Sequence, residues 1–194
     1  VLAAKLSGLS IKKINLSLKN IKSVNGRLEL TRVLNNQAKI FIDYAHTPDA
    51  LLTVLQSLKK YYNSKVSLVF GCGGDRDQKK RPLMAKIAND NCKKIYVTDD
   101  NPRNEKPQKI RNELLKYIQK DKSFNIANRK IAIKKAIENA DPQEVILVAG
   151  KGHEEQQIYK DKIFNISDKK IIKKIKIFNK KNISKKNQNY FQNK

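Results

Sequence analysis

The stretch VSLVFGCGGDRD, Val66–Asp77, reads as a buried strand, Val66–Phe70, running straight into a glycine loop, Gly71–Gly74. Short apolar runs bounded by turn residues mark strands that are covered on both faces. The same rhythm repeats on either side of it. Upstream, Lys39–Ile42 is a strand, followed by Asp43-Tyr44-Ala45-His46 and a helix opened by Thr47-Pro48-Asp49. Thr47 suits the N-cap, Pro48 the first helical position, and Asp49 the positive end of the helix. Leu51, Val54, Leu55, Leu58 and Tyr62 then share one apolar face at helical spacing.

Downstream, a helix near Pro82–Asn91 leads to a strand, Lys94–Thr98, a loop, Asp99–Lys106, and a helix from Pro107 to about Lys120. A helix around Lys130–Ala140 leads to a strand, Glu144–Val148, a loop, Ala149–Glu154, and one extended piece near Gln157–Phe164. Strands alternating with amphipathic helices predict an α/β fold with a mostly parallel sheet and helices on both faces. At the start, Leu2–Leu18 reads as two short helices broken at Gly8-Leu9-Ser10, with Ser10 as N-cap, and Val24–Leu30 as a turn into an extended segment. Near the end, Ser167-Asp168 caps a closing helix whose Ile171, Ile172, Ile175 and Phe178 form an apolar stripe. The Lys/Asn run from Asn179 to Lys194 reads as a disordered basic tail.

Composition narrows the function classes. The 194 residues carry 42 Lys+Arg against 18 Asp+Glu, a formal charge of +24, which would suit a polyanion. Distribution argues against nucleic acid: Lys169–Lys194 holds ten lysines and no acid, and the remaining excess is scattered singly over polar faces. A chain rich in Lys, Asn and Ile reflects a compositional bias rather than a binding surface. At 39% hydrophobic residues there is material for a core, and no apolar run reaches the roughly 18 residues needed to cross a bilayer. No secretory signal is visible, and two cysteines, Cys72 and Cys92, make neither a disulfide framework nor a metal-ligand spacing, so a reducing cytoplasm is expected. The chain opens on Val1 rather than Met, which suggests a piece of something longer.

Six of the seven glycines and both histidines gather in or beside four strand-end loops and the Gly26-Arg27 turn. In a parallel sheet the ligand crevice lies beyond the carboxyl ends of the strands. Asp43-Tyr44-Ala45-His46 offers a carboxylate and an imidazole ahead of a helix, suited to a ribose or a phosphate, or simply to capping. Gly71–Asp77 resembles a phosphate-cradling loop without the Gly-Lys-Ser/Thr ending; Arg76, between two acids, is a fork for a carboxylate. Cys72 reads as a small packed residue rather than a nucleophile. Asp99-Asp100-Asn101-Pro102-Arg103 places acceptors for an ammonium and a guanidinium for a carboxylate on a rigid turn, or is an ordinary solvated turn. Ala149–Glu154 offers backbone at Gly150 and the carboxylate of Glu154 to a second amino group, with Lys151 and His153 near any phosphate.

GRLE at Gly26–Glu29, DYAHTPDAL at Asp43–Leu51, VFGCGGDRDQKKRPLM at Val69–Met84, DDNPR at Asp99–Arg103 and VAGKGHEEQQI at Val148–Ile158 resemble, in order, the Mur ligase family of peptidoglycan synthesis. The resemblance covers roughly residues 1–175. It implies three domains: a UDP-binding domain, a central ATPase domain, and a Rossmann-like C-terminal domain. Residues 1–23 would then be the last helices of the central domain, 24–178 the C-terminal domain, and 179–194 the tail. It also implies an ATP-dependent ligase that adds meso-diaminopimelate to UDP-MurNAc-L-Ala-D-Glu. Arg76, Asp100, Asn101, Arg103, Gly150 and Glu154 would bind meso-diaminopimelate. Arg27, Asp43 and His46 would reach ATP. Mg²⁺ and most of the ATP would be held by the central domain, since the chain has no phosphate-loop motif; no catalytic or metal-binding residue is expected within it, and the chain alone is expected to be inactive. Readings left open are another member of the superfamily, lysine-adding or folylpolyglutamate-type, and a free-standing module for a diamino acid or, through its lysines, for nucleic acid.

Overall fold

The computed structural model describes residues 1–20, 23–64 and 66–176. In chain order the elements are α1 (Leu2–Leu6), α2 (Ile11–Leu18), β1 (Glu29–Val33), β2 (Lys39–Asp43), α3 (Pro48–Tyr62), β3 (Val66–Phe70), α4 (Lys80–Asn91), β4 (Cys92–Val97), α5 (Pro107–Leu115), β5 (Ser123–Asn125), α6 (Arg129–Glu138), β6 (Val145–Ala149), β7 (Gln156–Tyr159), β8 (Lys162–Asn165) and α7 (Asp168–Lys174). Six strands form one sheet in the order β1-β2-β6-β3-β4-β5; only β1 runs antiparallel to its neighbour. The separate pair β7–β8 is an antiparallel hairpin.

The continuous apolar runs are explained by burial on both faces. In β3 and β6 every residue is buried. Their side chains alternate, as a period of two requires. Val66, Leu68, Phe70, Val145 and Leu147 join a core with Leu51, Leu55 and Leu58 of α3, Met84 of α4 and Leu114 of α5. Val69, Ile146 and Val148 join a second core with Ala132, Ile133 and Ile137 of α6 and Ile172 of α7. Each buried Val, Leu or Ile side chain contributes about 1.5–3 kcal/mol when fully buried, so the central strands carry much of the fold's stability.

Local signals set the helix starts. Thr47 Oγ1 accepts from the Ala50 amide at 3.4 Å, with Pro48 in the first turn of α3. Ser10 Oγ accepts from Lys13 at the start of α2, and Ser167 Oγ from Lys170 at the start of α7. In α1 and α2 only Ile14 is buried, while Leu2, Leu6, Ile11, Leu16 and Leu18 are exposed. Two expectations need correcting. The helix from Pro107 stops at Leu115, and a 3-10 turn at Lys120–Lys122 feeds the unforeseen edge strand β5. The extended piece near Gln157–Phe164 is a hairpin, folded back where Lys160 takes a left-handed φ of 47°. Ile171, Ile172 and Ile175 pack against the second core as expected; Phe178 and the 179–194 tail lie outside the described residues. Among the described residues, no helix is long and apolar enough to cross a membrane.

Candidate functional site

The loops that leave the carboxyl ends of β2, β3, β4 and β6 meet above the sheet, where β6 lies between β2 and β3. They enclose a cleft of about 490 Å³ whose lining includes Arg76, Asp100, Asn101, Arg103, Gly150 and Glu154, together with Tyr44, His46 and Lys80. All six residues assigned to the amino acid from the sequence therefore face one space. A larger cleft of about 640 Å³ lies between α6 and α7, but its lining offers lysines and no carboxylate. The first is singled out by its place at the carboxyl ends of the strands and by two guanidiniums among carboxylates; a third cleft of about 540 Å³ offers three lysines and only Asp90.

Glycines let the loops meet. A Cβ on Gly74 would sit 1.8 Å from the Pro102 carbonyl oxygen, and one on Gly71 2.2 Å from that of Thr98. Gly74 donates its amide to Asn101 O at 2.9 Å. The loop pair is then clamped by Arg81, fully buried, whose guanidinium reaches Glu105 and Glu113 at 2.7 Å each and the Gly73 carbonyl at 3.2 Å. The hydrogen bond from Arg81 is the main cause that holds the Glu105 carboxyl below its ordinary range. Glu105 also accepts the Asp75 amide, fixing the turn that carries Arg76. Arg76 itself is exposed and, among the described residues, bonds only the Asp75 carbonyl at 3.1 Å, so its fork is available to the cleft.

Arg103 sits in the left-handed region at φ 53°, with Nη1 donating to Gly74 O at 2.9 Å and Asn101 O at 3.3 Å. The β7–β8 hairpin straps this loop down. Arg103 N donates to Ile158 O, Lys160 N donates to Arg103 O, and Gln157 Nε2 donates to the carbonyls of Asp99 and Asp100. Tyr159 donates its hydroxyl to Asp99 Oδ2 at 2.9 Å; burial first, and then the Asp99 charge, push its pKa up. Arg111 ion-pairs with the other Asp99 oxygen. Asp100 Oδ1 accepts the Asn101 amide at 2.7 Å, and its Oδ2 lies 3.0 Å from where a Gly150 Cβ would stand, so glycine keeps that carboxylate in reach of the cleft.

The residues assigned to ATP divide. His46 lines the cleft, while Arg27 and Asp43 do not. Asp43 is buried, with Oδ2 accepting from Leu28 N and Oδ1 from Ala45 N, both at 2.6 Å, so its carboxylate is committed to joining the turn before β1 to the end of β2. Arg27 is exposed and lies over the Tyr44 ring at 4.3 Å; Tyr44 also meets His46 edge-on at 4.6 Å and stacks on His153 at 5.8 Å. This cation and ring cluster beside the cleft is a surface for a planar or anionic group. The expectation for Lys151 is overturned: its ammonium is buried and directed onto Asn101 and Glu154, not outward toward a phosphate. Cys72 is buried, and desolvation pushes its thiol up to about 12, as suits packing. Among the described residues, no group of three or more His, Cys, Asp or Glu is placed to hold a metal ion.

Reading the sequence alone missed Arg81, Gln157, Tyr159 and the buried pair Arg129–Asp168, whose Nη2 to Oδ2 distance is 2.7 Å. Their side-chain partners lie 24 to 39 residues away for the two buried arginines and about 60 for Tyr159, so no local spacing announced them.

Known proteins resemble this chain in sequence and in fold. The family profile described as "Mur ligase, glutamate ligase domain" matches residues 26–152. The UDP-N-acetylmuramoyl-L-alanyl-D-glutamate--2,6-diaminopimelate ligase of Rickettsia montanensis is 48% identical over 160 residues, covering 81% of this chain and 33% of that protein. The ligase of the same name from Buchnera aphidicola subsp. Baizongia pistaciae is 47% identical over 166 residues, covering 84% of this chain and 32% of that protein. A solved structure of a ligase of that name superposes with a TM-score of 0.71 at 33% identity, covering 89% of this chain and 35% of the other. The chain thus spans about a third of the length of the curated relatives it matches.

Proposed function

The chain belongs to the Mur ligase family, and we propose that its cleft is the amino-acid grip of an ATP-dependent ligase that adds meso-diaminopimelate to UDP-MurNAc-L-Ala-D-Glu in peptidoglycan synthesis. The observation that carries this reading is one cleft whose lining joins two guanidiniums, Arg76 and Arg103, with the carboxylates of Asp77, Asp100 and Glu154. A diamino diacid needs both kinds of partner twice. Arg76 and Arg103 take its carboxylates as planar forks, and Asp100 and Glu154 take ammonium groups, with the Gly150 backbone and the Asn101 amide between them.

In the reaction, the free carboxylate of the D-glutamyl residue attacks the γ-phosphorus of ATP and displaces ADP, giving an acyl phosphate. An unprotonated amine of the amino acid attacks the acyl carbon; the C–N bond forms, the C–O bond to phosphate breaks, and the amine sheds its proton. The contribution of this chain is orientation: a nucleophile held in line gains far more than charge alone supplies. Arg27 and His46, grouped around Tyr44, are assigned to the nucleotide side, and Asp43 shapes the turn that carries Arg27. Mg²⁺ is assigned to the central ATPase domain that the family resemblance implies. The exposed apolar residues of α1 and α2 support assigning residues 1–23 to the edge of that domain, and 24–178 to the amino-acid domain. Two buried free thiols are in keeping with a cytoplasmic setting.

Calorimetric titration of the chain with meso-diaminopimelate, with L-lysine as control, tests the reading. Selective binding of meso-diaminopimelate is expected, and Arg103→Ala should remove the selectivity, by about 2 kcal/mol or roughly 30-fold. Equal affinity for the two amino acids, or silence for both from a chain folded by circular dichroism, would refute a preformed diamino-diacid grip.

A further inference from the structure

Lys151 has no exposed surface, although it lies in a loop. Two glycines make this possible. Gly150 and Gly152 both hold positive φ, at 110° and 53°, and a Cβ on Gly152 would stand 2.6 Å from Gly26 O and 2.9 Å from Tyr44 Cβ. The loop therefore runs tight against neighbouring backbone and turns the intervening side chain inward. A buried ammonium is tolerated only with partners. Lys151 Nζ donates to Asn101 Oδ1 at 3.0 Å and to Glu154 Oε2 at 3.4 Å.

The consequence falls on Asn101. Its Oδ1 also accepts the Ile158 amide at 3.1 Å. A lysine ammonium and a backbone N–H are both donors with no acceptor capacity. The amide oxygen must face them, because the flipped amide would set N–H groups against N–H groups at two places. Nδ2 is thereby turned toward Glu154 Oε2, at 3.4 Å, on the wall of the cleft.

We propose that Lys151 is the positioning residue of the amino-acid pocket: it locks Asn101 as a hydrogen-bond donor and gives Glu154 an internal counter-ion. This rests on the reading of the cleft as an amino-acid site. The pocket wall then offers a fixed donor beside a carboxylate, which fits a ligand end carrying an acceptor next to an ammonium, an amino acid rather than a simple amine. Lys151 itself does not touch the ligand.

The test has one arm that needs no ligand. In the ¹⁵N-labelled chain at neutral pH, the Lys151 ammonium is expected to give a slowly exchanging Nζ–H signal with cross-relaxation to the Ile158 amide, while exposed lysines exchange too fast to be seen. Lys151→Met should shift or broaden the Asn101 side-chain amide pair. Absence of the ammonium signal in a folded chain, or an unmoved Asn101 amide in Lys151→Met, overturns the proposal. In the second arm, Lys151→Met is expected to weaken meso-diaminopimelate binding about tenfold or more; equal affinity for the amino acid overturns it. If Lys151→Met does not fold, Asn101→Asp, which keeps a partner for the ammonium but removes the donor, should lose affinity similarly. A wild-type chain that binds no diamino acid yet shows the ammonium signal and the Asn101 shift would refute the amino-acid reading and leave the locking of Asn101 standing.

Discussion

Asp168→Asn should be among the most damaging single substitutions outside the lining of the cleft. Arg129 and Asp168 are both about 1% exposed, and their bond is bidentate: Nε to Oδ1 at 2.8 Å and Nη2 to Oδ2 at 2.7 Å. Nη2 also donates to the Ala149 carbonyl at 2.9 Å, the residue before Gly150. Burial by itself would lower the Arg129 pKa, and the Asp168 charge and hydrogen bonds outweigh it and raise it; without that partner the guanidinium still keeps its proton, because arginine is too basic to lose it in a protein. An asparagine of the same shape leaves that charge in the core with a neutral amide. Breaking a buried pair from one side costs about 3–5 kcal/mol. For a chain of this size, with about 2–4 °C per kcal/mol, the melting temperature should fall by roughly 6–20 °C.

Thermal and urea unfolding followed by far-ultraviolet circular dichroism measure this directly. The double substitution Arg129→Met with Asp168→Leu removes both charges. It should recover most of the loss, to within about 1 kcal/mol for the forfeited bond to Ala149. A single Asp168→Asn that loses less than about 1 kcal/mol would mean that water reaches the pair, and the argument from burial would fail. A double variant as unstable as the single one would show that packing of the long side chain, not its charge, matters there.

Three further outcomes follow from the same geometry. Gly74→Ala places a methyl group 1.8 Å from the Pro102 carbonyl oxygen, so it should cost about 2–3 kcal/mol in urea unfolding; Gly73→Ala meets only the movable Arg103 Nη1 at 2.9 Å and should cost under about 1 kcal/mol. Cys72 and Cys92 are buried, with thiols pushed up to about 12 by desolvation, so both should resist Ellman's reagent at pH 8 until the chain unfolds; rapid labelling of the native protein would contradict that. Glu105 is held below its ordinary 4.5, chiefly by the hydrogen bond from Arg81. A depressed carboxylate contributes stability that is complete above its unfolded pKa and lost as pH falls through its folded value. The urea midpoint should therefore decline below about pH 4.5, and Glu105→Gln should flatten that decline; an unchanged acid limb would remove Glu105 from the account.

Much of the fold was legible because its signals are local. Val66–Phe70 reads as a buried strand from five consecutive residues, and Thr47-Pro48-Asp49 announces a helix start that the structure caps through Thr47. β5 escaped because Ser123-Phe124-Asn125 is three residues long and takes its conformation from pairing with β4, not from its own pattern. The hairpin turn at Lys160-Asp161 carries no glycine or proline to mark it. The cleft's lining residues were legible for a different reason: in a parallel sheet, scarce residues at strand ends must fall on one edge. The buried ionic pairs were not, because a charge in a sequence does not reveal whether it will be solvated.

Lys151 shows where such reading turns. Gly-Lys-Gly after an apolar strand invites a phosphate, since glycine loops with a lysine cradle anions when their amides point outward into an open crevice. Here the glycines serve a different neighbour. Gly152 brings its backbone against Gly26 and Tyr44, and a loop pressed that closely on protein has no room left for an anion on that side. The lysine then goes inward, where its only acceptable partners are an amide oxygen and a carboxylate, supplied by Asn101 and Glu154. The three residues Gly150-Lys151-Gly152 are thus compatible with opposite electrostatic roles, and the choice between them is made by Gly26 and Tyr44, more than a hundred residues upstream. Placing a side chain as bulky as leucine at position 26, where a Cβ already meets the His153 amide nitrogen at 2.2 Å, would push that loop away and should bring Lys151 within reach of solvent. Acetylation of Lys151 by acetic anhydride in Gly26→Leu, against none in the wild-type chain, is the expected result; protection in both would mean that the 150–152 loop holds its course without the Gly26 contact.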